Sequence, residues 1–395
     1  MTADAPPAAP AAAPAEQPIP WFGLVAVLLG TFISTLNGRF STFGLNDIRG
    51  AMHAGFDEGA WITTAQTTAQ MLVLPFALWL GTQFGARRVL IWAALAFAVI
   101  SFVEPFSPSL PFLLAFQFAG GLASGFFIPL TLSYILRGMP PRYWAYGIAL
   151  YALNLELSLN ISASLEGWYV DHLSWRWIFW QNAPLALGMA ACLRFGTRLD
   201  PTAPVVLPRP DWFGLTSGGL GAALIYAALD QGNRLDWLNL GLVVGLLAAG
   251  GVLVLGFFLH ERLHPMPAIN LKIVFAGVLP RLLVLIAFLR LTILSTAYLI
   301  PQFLTTVRGF RAPEVGETLI WIAAPQFAVC ALAGILLRRL DARLVASVGL
   351  ILIALACLSV AHGLTAVWSS DQFARTLLWQ ALGQSLALSG IVFYG

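Results

Sequence analysis

Long apolar runs recur along this 395-residue chain and are separated by short polar segments. A helix that spans a bilayer needs about 20 predominantly apolar residues. Runs of that length are centred near residues 32, 70, 98, 124, 155, 186, 221, 248, 292, 326, 354 and 385. The pattern therefore predicts twelve membrane-spanning helices, and we expect the last one to be cut short by an incomplete C-terminus.

The composition favours a membrane protein over a soluble domain. Hydrophobic residues make up 59% of the chain and charged residues only 10%, whereas a soluble domain is typically about 25% charged. We therefore expect an all-α polytopic membrane protein. Residues 1–20 are rich in Ala and Pro and lack the basic segment and short apolar core of a secretory signal, so we expect a disordered cytoplasmic tail there.

The positions of Lys and Arg predict the orientation, because positive residues in short loops stay on the cytoplasmic side. With the N-terminus inside, thirteen of the 21 Lys and Arg residues fall on the cytoplasmic side and six on the other side, while Arg39 and Arg290 lie inside helices. The net charge of +3 is therefore explained by membrane topology and does not indicate nucleic-acid binding.

Breaks in the apolar pattern divide the chain into segments. Prolines around residues 201–210 interrupt any helix, and a second polar loop follows His260. The two helices between these breaks contain hardly a polar group, so we expect both to face lipid. The predicted division is a tail at 1–20, an N-terminal six-helix bundle at 21–197, a cytoplasmic linker at 198–212, two additional transmembrane helices at 213–260, a cytoplasmic loop at 261–280, and an incomplete C-terminal bundle at 281–395.

Sequence motifs give little support to a catalytic function. It has no phosphate-binding GxxxxGK[ST], so hydrolysis of ATP by this chain is not expected. Its three cysteines, Cys192, Cys330 and Cys357, lie at spacings that fit neither a metal site nor a disulfide framework. We expect a protein that is not an enzyme and that uses no metal or other cofactor.

Helix five is predicted to hold polar side chains inside the bilayer. Polar and apolar residues alternate between Asn154 and Glu166. Alternation by itself indicates a strand, but a membrane strand needs a closed barrel of many similar segments, and nothing else in the chain alternates this way. On a helix the same residues form two polar stripes. The first contains Asn154, Ser158, Ser162 and Glu166, and the second, on roughly the opposite side, contains Glu156, Asn160 and Ser164.

Glu156 and Glu166 are the candidates for proton coupling, together with Arg39 in helix one. An ionised side chain at mid-bilayer costs roughly 3 kcal/mol on insertion scales, so such residues usually face a bundle interior or a watery cavity and serve as proton or substrate groups. Two alternatives stay open. One glutamate takes up and releases a proton, or Arg39 and one glutamate form a fixed pair that only holds helices one and five together.

Three groups of residues form recognisable motifs. They are Trp175-Arg-Trp-Ile-Phe179 with Asn182 and Pro184 after helix five, Gly85-Ala-Arg87-Arg88 between helices two and three, and Gly121, Gly125 and Pro129 in helix four. These motifs resemble those of the major facilitator superfamily, in particular the fourteen-helix drug/proton antiporters of the EmrB/QacA type. The resemblance covers roughly residues 20–395, leaves the last two helices of that family missing, and implies two six-helix bundles with two extra central helices.

The chain departs from the family pattern at positions that bear on proton coupling. Helix one has Asn37 and Arg39 where the family usually has an aspartate, and helix four has Gln117 in place of an arginine. The aspartate position of the signature loop is Thr82, and Ser162–Gly167 lacks the usual Gly-Pro and paired glycines of the antiporter motif.

Further polar side chains are candidates for lining a substrate cavity. By the resemblance, helix nine is the counterpart of helix one, which places Arg290 towards the middle of the molecule; the alternative is that Arg290 extends to the cytoplasmic face. For each amide, hydrogen bonding between helices is an equally good explanation. The full set is Asn37, Gln66, Gln70, Gln117, Asn154, Asn160, Arg290, Gln302 and Gln326.

Gly85, Arg87 and Arg88 are the gating candidates. The two arginines first of all anchor a helix end on the positive side of the membrane. The resemblance adds a role in which their loop latches the two bundles in one conformation, and Gly85 permits the tight turn of that loop.

The resemblance implies a secondary transporter of the inner membrane that exports amphipathic or aromatic small molecules in exchange for protons, by alternating access between the bundles. The proton gradient would supply the energy. In a host with two membranes, a periplasmic adaptor and an outer-membrane channel would be partners. The departures described above keep two alternatives open, an uncoupled facilitator and a transport-inactive membrane scaffold.

Overall fold

The computed structural model describes residues 21–138, 144–196, 211–264, 275–277, 279–294 and 298–394, apart from a few side chains that include Glu156 and Asn160. Inside a bilayer each backbone polar group must be bonded within the protein, so single apolar segments cross it as helices. The helices are α1 (Trp21–Phe43), α2 (Leu45–Met52), α3 (Phe56–Gly59), α4 (Trp61–Phe84), α5 (Ala86–Val103), α6 (Leu110–Ser124), α7 (Phe127–Gly138), α8 (Trp144–His172), α9 (Trp177–Trp180), α10 (Asn182–Gly196), α11 (Trp212–Gly232), α12 (Gly241–Leu263), α13 (Leu279–Leu294), α14 (Ile300–Thr306), α15 (Ala312–Arg339), α16 (Ala342–Gly363) and α17 (Ser370–Tyr394).

The prediction of a helical membrane protein is confirmed. Each of the twelve expected centres lies within one of the long helices, and seven of the described helical segments are long and apolar enough to cross a membrane. Large apolar side chains also cover the outside of the molecule: Trp92 is 73% exposed and Phe195 83% exposed. Such side chains fit contact with lipid and would be a liability in water.

The two ends of the molecule differ in the elements that they hold. The short helices α2 and α3 lie where α1 ends and α4 begins, and we call this end the α2 face. The opposite end holds Arg87 at the start of α5, and we call it the Arg87 face. The distribution of positive residues predicts that the α2 face is the outer one.

Helices α1 to α10 pack into one bundle. Helix α1 contacts α7, α8 and α10, while α4 and α5 pack against α6. Leu90, Phe97, Phe127 and Leu193 belong to the apolar core of this bundle. The rings of Phe97 and Phe127 meet edge to face with centroids 5.7 Å apart, a favoured arrangement for aromatic pairs.

Glycines bring α6 unusually close to α4. A Cβ on Gly121 would stand 2.2 Å from the backbone oxygen of Gln66, and one on Gly125 would stand 2.3 Å from a methyl carbon of Val73. The Gly121-x3-Gly125 spacing is therefore used for close helix contact, as small residues allow in membranes. The fourth predicted helix is interrupted just before Pro129, between α6 and α7.

The two additional helices have different surroundings. Helix α11 lies between α4 and α12, and a Cβ on Gly219 would stand 2.3 Å from the backbone oxygen of Leu72. The expectation that both helices face lipid is wrong for α11, because its glycines let it pack directly on α4. Most residues of α12 are exposed, in agreement with the expectation.

Helices α13 to α17 form the second group. Helices α16 and α17 are in close contact, since a Cβ on Gly349 would stand 2.4 Å from the backbone nitrogen of Ala387. Helices α15 and α17 both contact α8 of the first bundle. The two groups of helices therefore meet along α8. Most of the predicted linker and cytoplasmic loop, at 198–212 and 261–280, lies outside the described residues, and the predicted domain boundaries stay predictions.

Candidate functional site

The candidate site is centred on Glu166, in the half of α8 nearer the α2 face. Its side chain is fully buried, and within the described part of the chain neither carboxylate oxygen has a hydrogen-bond partner. Buried polar groups in proteins are nearly always hydrogen-bonded, so an exception calls for an explanation. Among the described polar side chains of α8, the predicted helix five, Glu166 is therefore the one whose surroundings fit a purely structural role least.

Neighbouring residues of α8 explain the burial of Glu166. Leu165 and Tyr169 pack against an apolar cluster that includes Leu36 of α1, Ile48 of α2 and Ile62 of α4. This packing shields Glu166 from solvent on the side of the first bundle.

The other side of this stretch of α8 is covered by the second bundle. The Ser164 hydroxyl donates a 2.9 Å hydrogen bond to the backbone oxygen of Gly316 in α15. A Cβ on Gly316 would stand 2.6 Å from the Cα of Ser164, and one on Gly167 would stand 2.8 Å from the backbone nitrogen of Pro313. Glu166 therefore lies between two positions at which the bundles touch, and separation of α8 from α15 would change its surroundings directly.

Charged side chains lie between Glu166 and the α2 face. The negative charges of Asp47 and Asp171 act on Glu166. Asp171 forms an ion pair across the bundles with Arg311, whose Nη2 is 3.7 Å from Asp171 Oδ1. Partial burial raises the pKa of Asp47, which Arg311 opposes and Asp171 reinforces. Charged groups near the α2 face are therefore close enough to act electrostatically on Glu166.

One alternative for Arg39 was a fixed pair with one of the two glutamates, and in this conformation Arg39 does not bond to Glu166. Arg39 is half-buried in α1 and has contacts of its own, but no hydrogen bond reaches either carboxylate oxygen of Glu166. The side chain of Glu156, the other candidate, lies outside the described residues, as does that of Asn160. The alternative of a fixed Arg39–Glu166 pair therefore has no support in this conformation.

Several of the predicted cavity amides instead join helices to one another. The Nδ2 group of Asn182 in α10 donates to Oδ1 of Asn37 in α1 at 2.7 Å. Asn154 of α8 donates to the backbone oxygen of Leu28 in α1 at 2.8 Å. Between other helix pairs, Gln70 donates to Ser124 at 3.0 Å, and Gln326 to Gln384 at 3.5 Å.

The remaining cavity candidates have different surroundings. Gln66 is 1% exposed, and neither atom of its side-chain amide has a hydrogen-bond partner among the described residues. Gln117 is also buried, in α6. Arg290 of α13 is exposed and interacts electrostatically with Tyr151 of α8, so it faces the first bundle. Gln302 is exposed in α14.

The gating candidates occupy the Arg87 face. Gly85 has a φ of 84°, a conformation that favours glycine, at the turn between α4 and α5. Arg87 is 8% exposed and donates to the backbone oxygens of Leu193 and Arg194 at 2.7 and 2.9 Å. In this conformation Arg87 ties the start of α5 to the end of α10 within the first bundle, while the Arg88 side chain is exposed.

Sequence reasoning missed two features of the described structure. Glu104, directly after α5, is 4% exposed, and its Oε1 has no hydrogen-bond partner among the described residues. The pattern did give a signal, since Glu104 follows an apolar run that only Ser101 interrupts. The second feature brings Asp211, His260 and His264 together at the Arg87 face. His260, Glu261 and His264 lie in a His-Glu-x-x-His sequence, which was a signal for metal ligands. Residue 211 is far from them in sequence, so only the packing of α11 on α12 shows that Asp211 joins the cluster.

Comparison with known proteins identifies the family. Residues 27–395 match the Major Facilitator Superfamily. The chain belongs to the major facilitator superfamily. Proteins of this superfamily are transporters and not enzymes, so the chain is a multi-pass membrane protein of a transporter family.

Two curated relatives in this superfamily are bacterial drug-resistance proteins. The chain is 27% identical to the probable multidrug resistance protein EmrY of Escherichia coli strain K12 over 326 residues, which are 82% of this chain and 63% of EmrY. It is 24% identical to the multidrug export protein EmrB of the same strain over 292 residues, which are 74% of this chain and 57% of EmrB. The chain thus spans less than two thirds of the length of either relative.

Solved structures show the same superfamily fold. The proton:xylose symporter XylE, bound to 6-bromo-6-deoxy-D-glucose, matches with a TM-score of 0.62 over 94% of this chain and 80% of XylE. A structure of XylE from E. coli in an inward-open conformation matches with a TM-score of 0.54 over 95% of this chain and 82% of that one. Sequence identities of 13% and 14% limit these likenesses to the fold.

Proposed function

We propose that this chain is a proton-coupled exporter of amphipathic or aromatic drug-like molecules. The observation that supports this most is the position of Glu166, fully buried and without hydrogen bonds to its carboxylate at the contact between α8 and α15. The names of the relatives EmrY and EmrB support drug export as the transported class.

Burial of the Glu166 charge would be costly in the closed protein. An ionised carboxylate without a cation or hydrogen bonds is unfavourable in a low-dielectric interior, whereas a protonated carboxyl is much easier to bury. The closed contact between α8 and α15 therefore favours the protonated form of Glu166. Opening of this contact would admit water and allow the ionised form.

This difference couples protonation to alternating access. With the α2 face open, Glu166 would take up a proton from outside by way of Asp47 and Asp171, whose charges act on it. Neutral Glu166 would then permit closure of α8 on α15. Opening at the Arg87 face would admit water to Glu166 from the inner side and let it release its proton inward. The ionised form would favour substrate binding, and a bound proton would weaken it. Glu156 and Arg39 remain proposed members of the coupling set.

Substrate contact is proposed for the polar groups that face the space between helices. Gln66 and Gln117 are buried in adjacent helices α4 and α6. Arg290 offers a positive charge towards α8 and would favour a substrate with an anionic or aromatic group. Asn160 and Gln302 stay in the proposed set. Asn37, Gln70, Asn154 and Gln326 contribute to the packing of helices in this conformation.

Orientation and partners are also part of the proposal. We propose that the N-terminus and the Arg87 face lie in the cytoplasm, because positive residues in short loops stay on that side. The proposed membrane is the plasma membrane or, for a cell with two membranes, the inner membrane. No cofactor is required, because the proton gradient drives transport. A periplasmic adaptor and an outer-membrane channel are the proposed partners in such a cell.

Substrate-induced proton release tests the proposal directly. Full-length protein in weakly buffered detergent would be mixed with a cationic dye, an anionic aromatic acid and a neutral amphiphile. We expect at least one compound to bind and to release protons from the wild type, and Glu166→Gln to abolish the release. Glu317→Gln, an exposed glutamate of α15, is the matched control and should behave as wild type.

The alternatives give different results in the same experiment. An uncoupled facilitator would bind a compound without any release of protons. A transport-inactive scaffold would neither bind the compounds nor release protons. Release that persists in Glu166→Gln would contradict the assignment of Glu166.

A further inference from the structure

A cluster of metal-ligating side chains lies at the Arg87 face, where α11 begins and α12 ends. Asp211, His260 and His264 each offer one ligand atom, and these atoms all lie within 4.8 Å of one another. His260 lies in the last turn of α12, and His264 is the C-cap residue directly after that helix. Their rings are stacked with centroids 4.8 Å apart.

The two carboxylate oxygens of Asp211 differ in their hydrogen bonding. Oδ1 accepts a hydrogen bond from the Gly214 backbone nitrogen at 2.9 Å and lies 2.8 Å from His260 Nε2. Oδ2 has no hydrogen-bond partner in the described part of the chain, although the side chain is only 5% exposed. A buried anionic oxygen of this kind needs a donor or a cation to offset the loss of hydration.

A second carboxylate approaches the same place. Glu261 is 3% exposed. A Cβ on Gly214 would stand 2.5 Å from Asp211 Oδ2 and 2.5 Å from Glu261 Oε1. Both oxygens therefore occupy space that a side chain at position 214 would fill. Two carboxylates brought together at low exposure repel each other. A divalent cation beside them would offset that repulsion.

We propose that Asp211, His260 and His264 bind Zn²⁺, with Glu261 as a neighbouring carboxylate that supports the site. Imidazole nitrogen is a good ligand for zinc. Calcium and magnesium prefer oxygen ligands, so two histidines favour zinc over either of them. Tetrahedral zinc with bonds of about 2.1 Å holds its ligand atoms roughly 3.4 Å apart. Modest rotations of the two imidazole rings would bring the three ligand atoms to that spacing.

The metal would fix the start of α11 to the end of α12. Asp211 is also the N-cap of α11, so a metal bond to it would hold the first turn of that helix in place. Because α11 packs on α4 of the first bundle, zinc would stabilise the attachment of the two additional helices. This role does not depend on proton coupling at Glu166.

Binding of Co²⁺, a spectroscopic substitute for Zn²⁺, tests the proposal with the metal alone as probe. Full-length protein in detergent would be titrated with Co²⁺, and its visible d–d absorption followed, with Zn²⁺ added afterwards to displace it. We expect one Co²⁺ per chain with tetrahedral absorption, and loss of this signal in His264→Ala and in Asp211→Asn. Glu261→Gln should weaken binding by roughly 10- to 100-fold, as loss of an outer carboxylate does.

His362→Ala is the matched control, because His362 is an exposed histidine at the far end of α16. It should bind Co²⁺ as the wild type does. Zn²⁺ should also raise the melting temperature of the wild type and of His362→Ala but not of His264→Ala. Equal Co²⁺ binding by wild type and His264→Ala, or no tetrahedral absorption from the wild type, would overturn the proposal and leave a hydrogen-bonded helix cap.

Discussion

Gly316 of α15 and Ser164 of α8 are in direct contact, with the Ser164 hydroxyl donating to the Gly316 backbone oxygen at 2.9 Å. The pair belongs to different bundles and lies two residues from Glu166 along α8. Any movement that opens the α2 face between α8 and α15 must break this contact. The same movement would change the hydration of Glu166, which is the physical link between bundle motion and protonation.

Gly316→Val tests this contact. The added Cβ would stand 2.6 Å from a backbone atom, so α8 and α15 must separate. We expect a lower melting temperature in detergent, corresponding to about 1–3 kcal/mol of overpacking, and loss of proton-coupled export. Gly245→Val in α12 is the control, because a Cβ there meets no atom within 4 Å. Equal melting temperatures for the two variants would contradict the packing of α8 on α15.

Arg87→Ala tests the attachment of α5 to α10. Arg87 donates to the backbone oxygens of Leu193 and Arg194, and a hydrogen bond from a charged group contributes about 1.5–3 kcal/mol. We expect Arg87→Ala to lower the melting temperature clearly. Arg88→Ala removes the same charge from an exposed neighbour and should have little effect. A larger effect for Arg88 than for Arg87 would refute this structural role.

Thr64→Val tests the attachment of α11 to α4. The Thr64 hydroxyl lies 2.5 Å from Asp230 Oδ2 and also contacts Gln231, so both α11 side chains lose a partner in the variant. Gln231 is buried and loses one of its hydrogen bonds, whereas Asp230 is exposed and can bond to water. A hydrogen bond contributes about 0.5–1.5 kcal/mol net, and we expect a fall in thermal stability of that size. Thr216→Val is the control, because the exposed Thr216 hydroxyl bonds only within α11. Similar stability of the two variants would mean that α11 is not held by this network.

The sequence predicted the helices well and their contacts poorly, for a physical reason. Runs of about 20 apolar residues are needed to cross a bilayer, so every expected centre lies within a helix. The partner of a polar side chain depends on packing, and Asn37 meets Asn182 from 145 residues away. The close contact of Gly219 with α4 and the grouping of Asp211 with two histidines have the same origin. Glu166 was found because a carboxylate in an apolar run is costly wherever its neighbours lie.

Drug uptake into liposomes is the measurement that tests the central claim most directly. The complete gene product would be reconstituted, a pH gradient imposed, and uptake of a cationic dye, an anionic aromatic acid and a neutral amphiphile followed. The variants are Glu166→Gln, the double variant Glu156→Gln with Glu166→Gln, and Glu317→Gln as the matched control. We predict gradient-driven uptake of at least one probe by the wild type and by Glu317→Gln. We predict no such uptake by either variant that carries Glu166→Gln. Unchanged gradient-driven uptake in the double variant would contradict these predictions, as would the absence of gradient dependence with all three probes in the wild type.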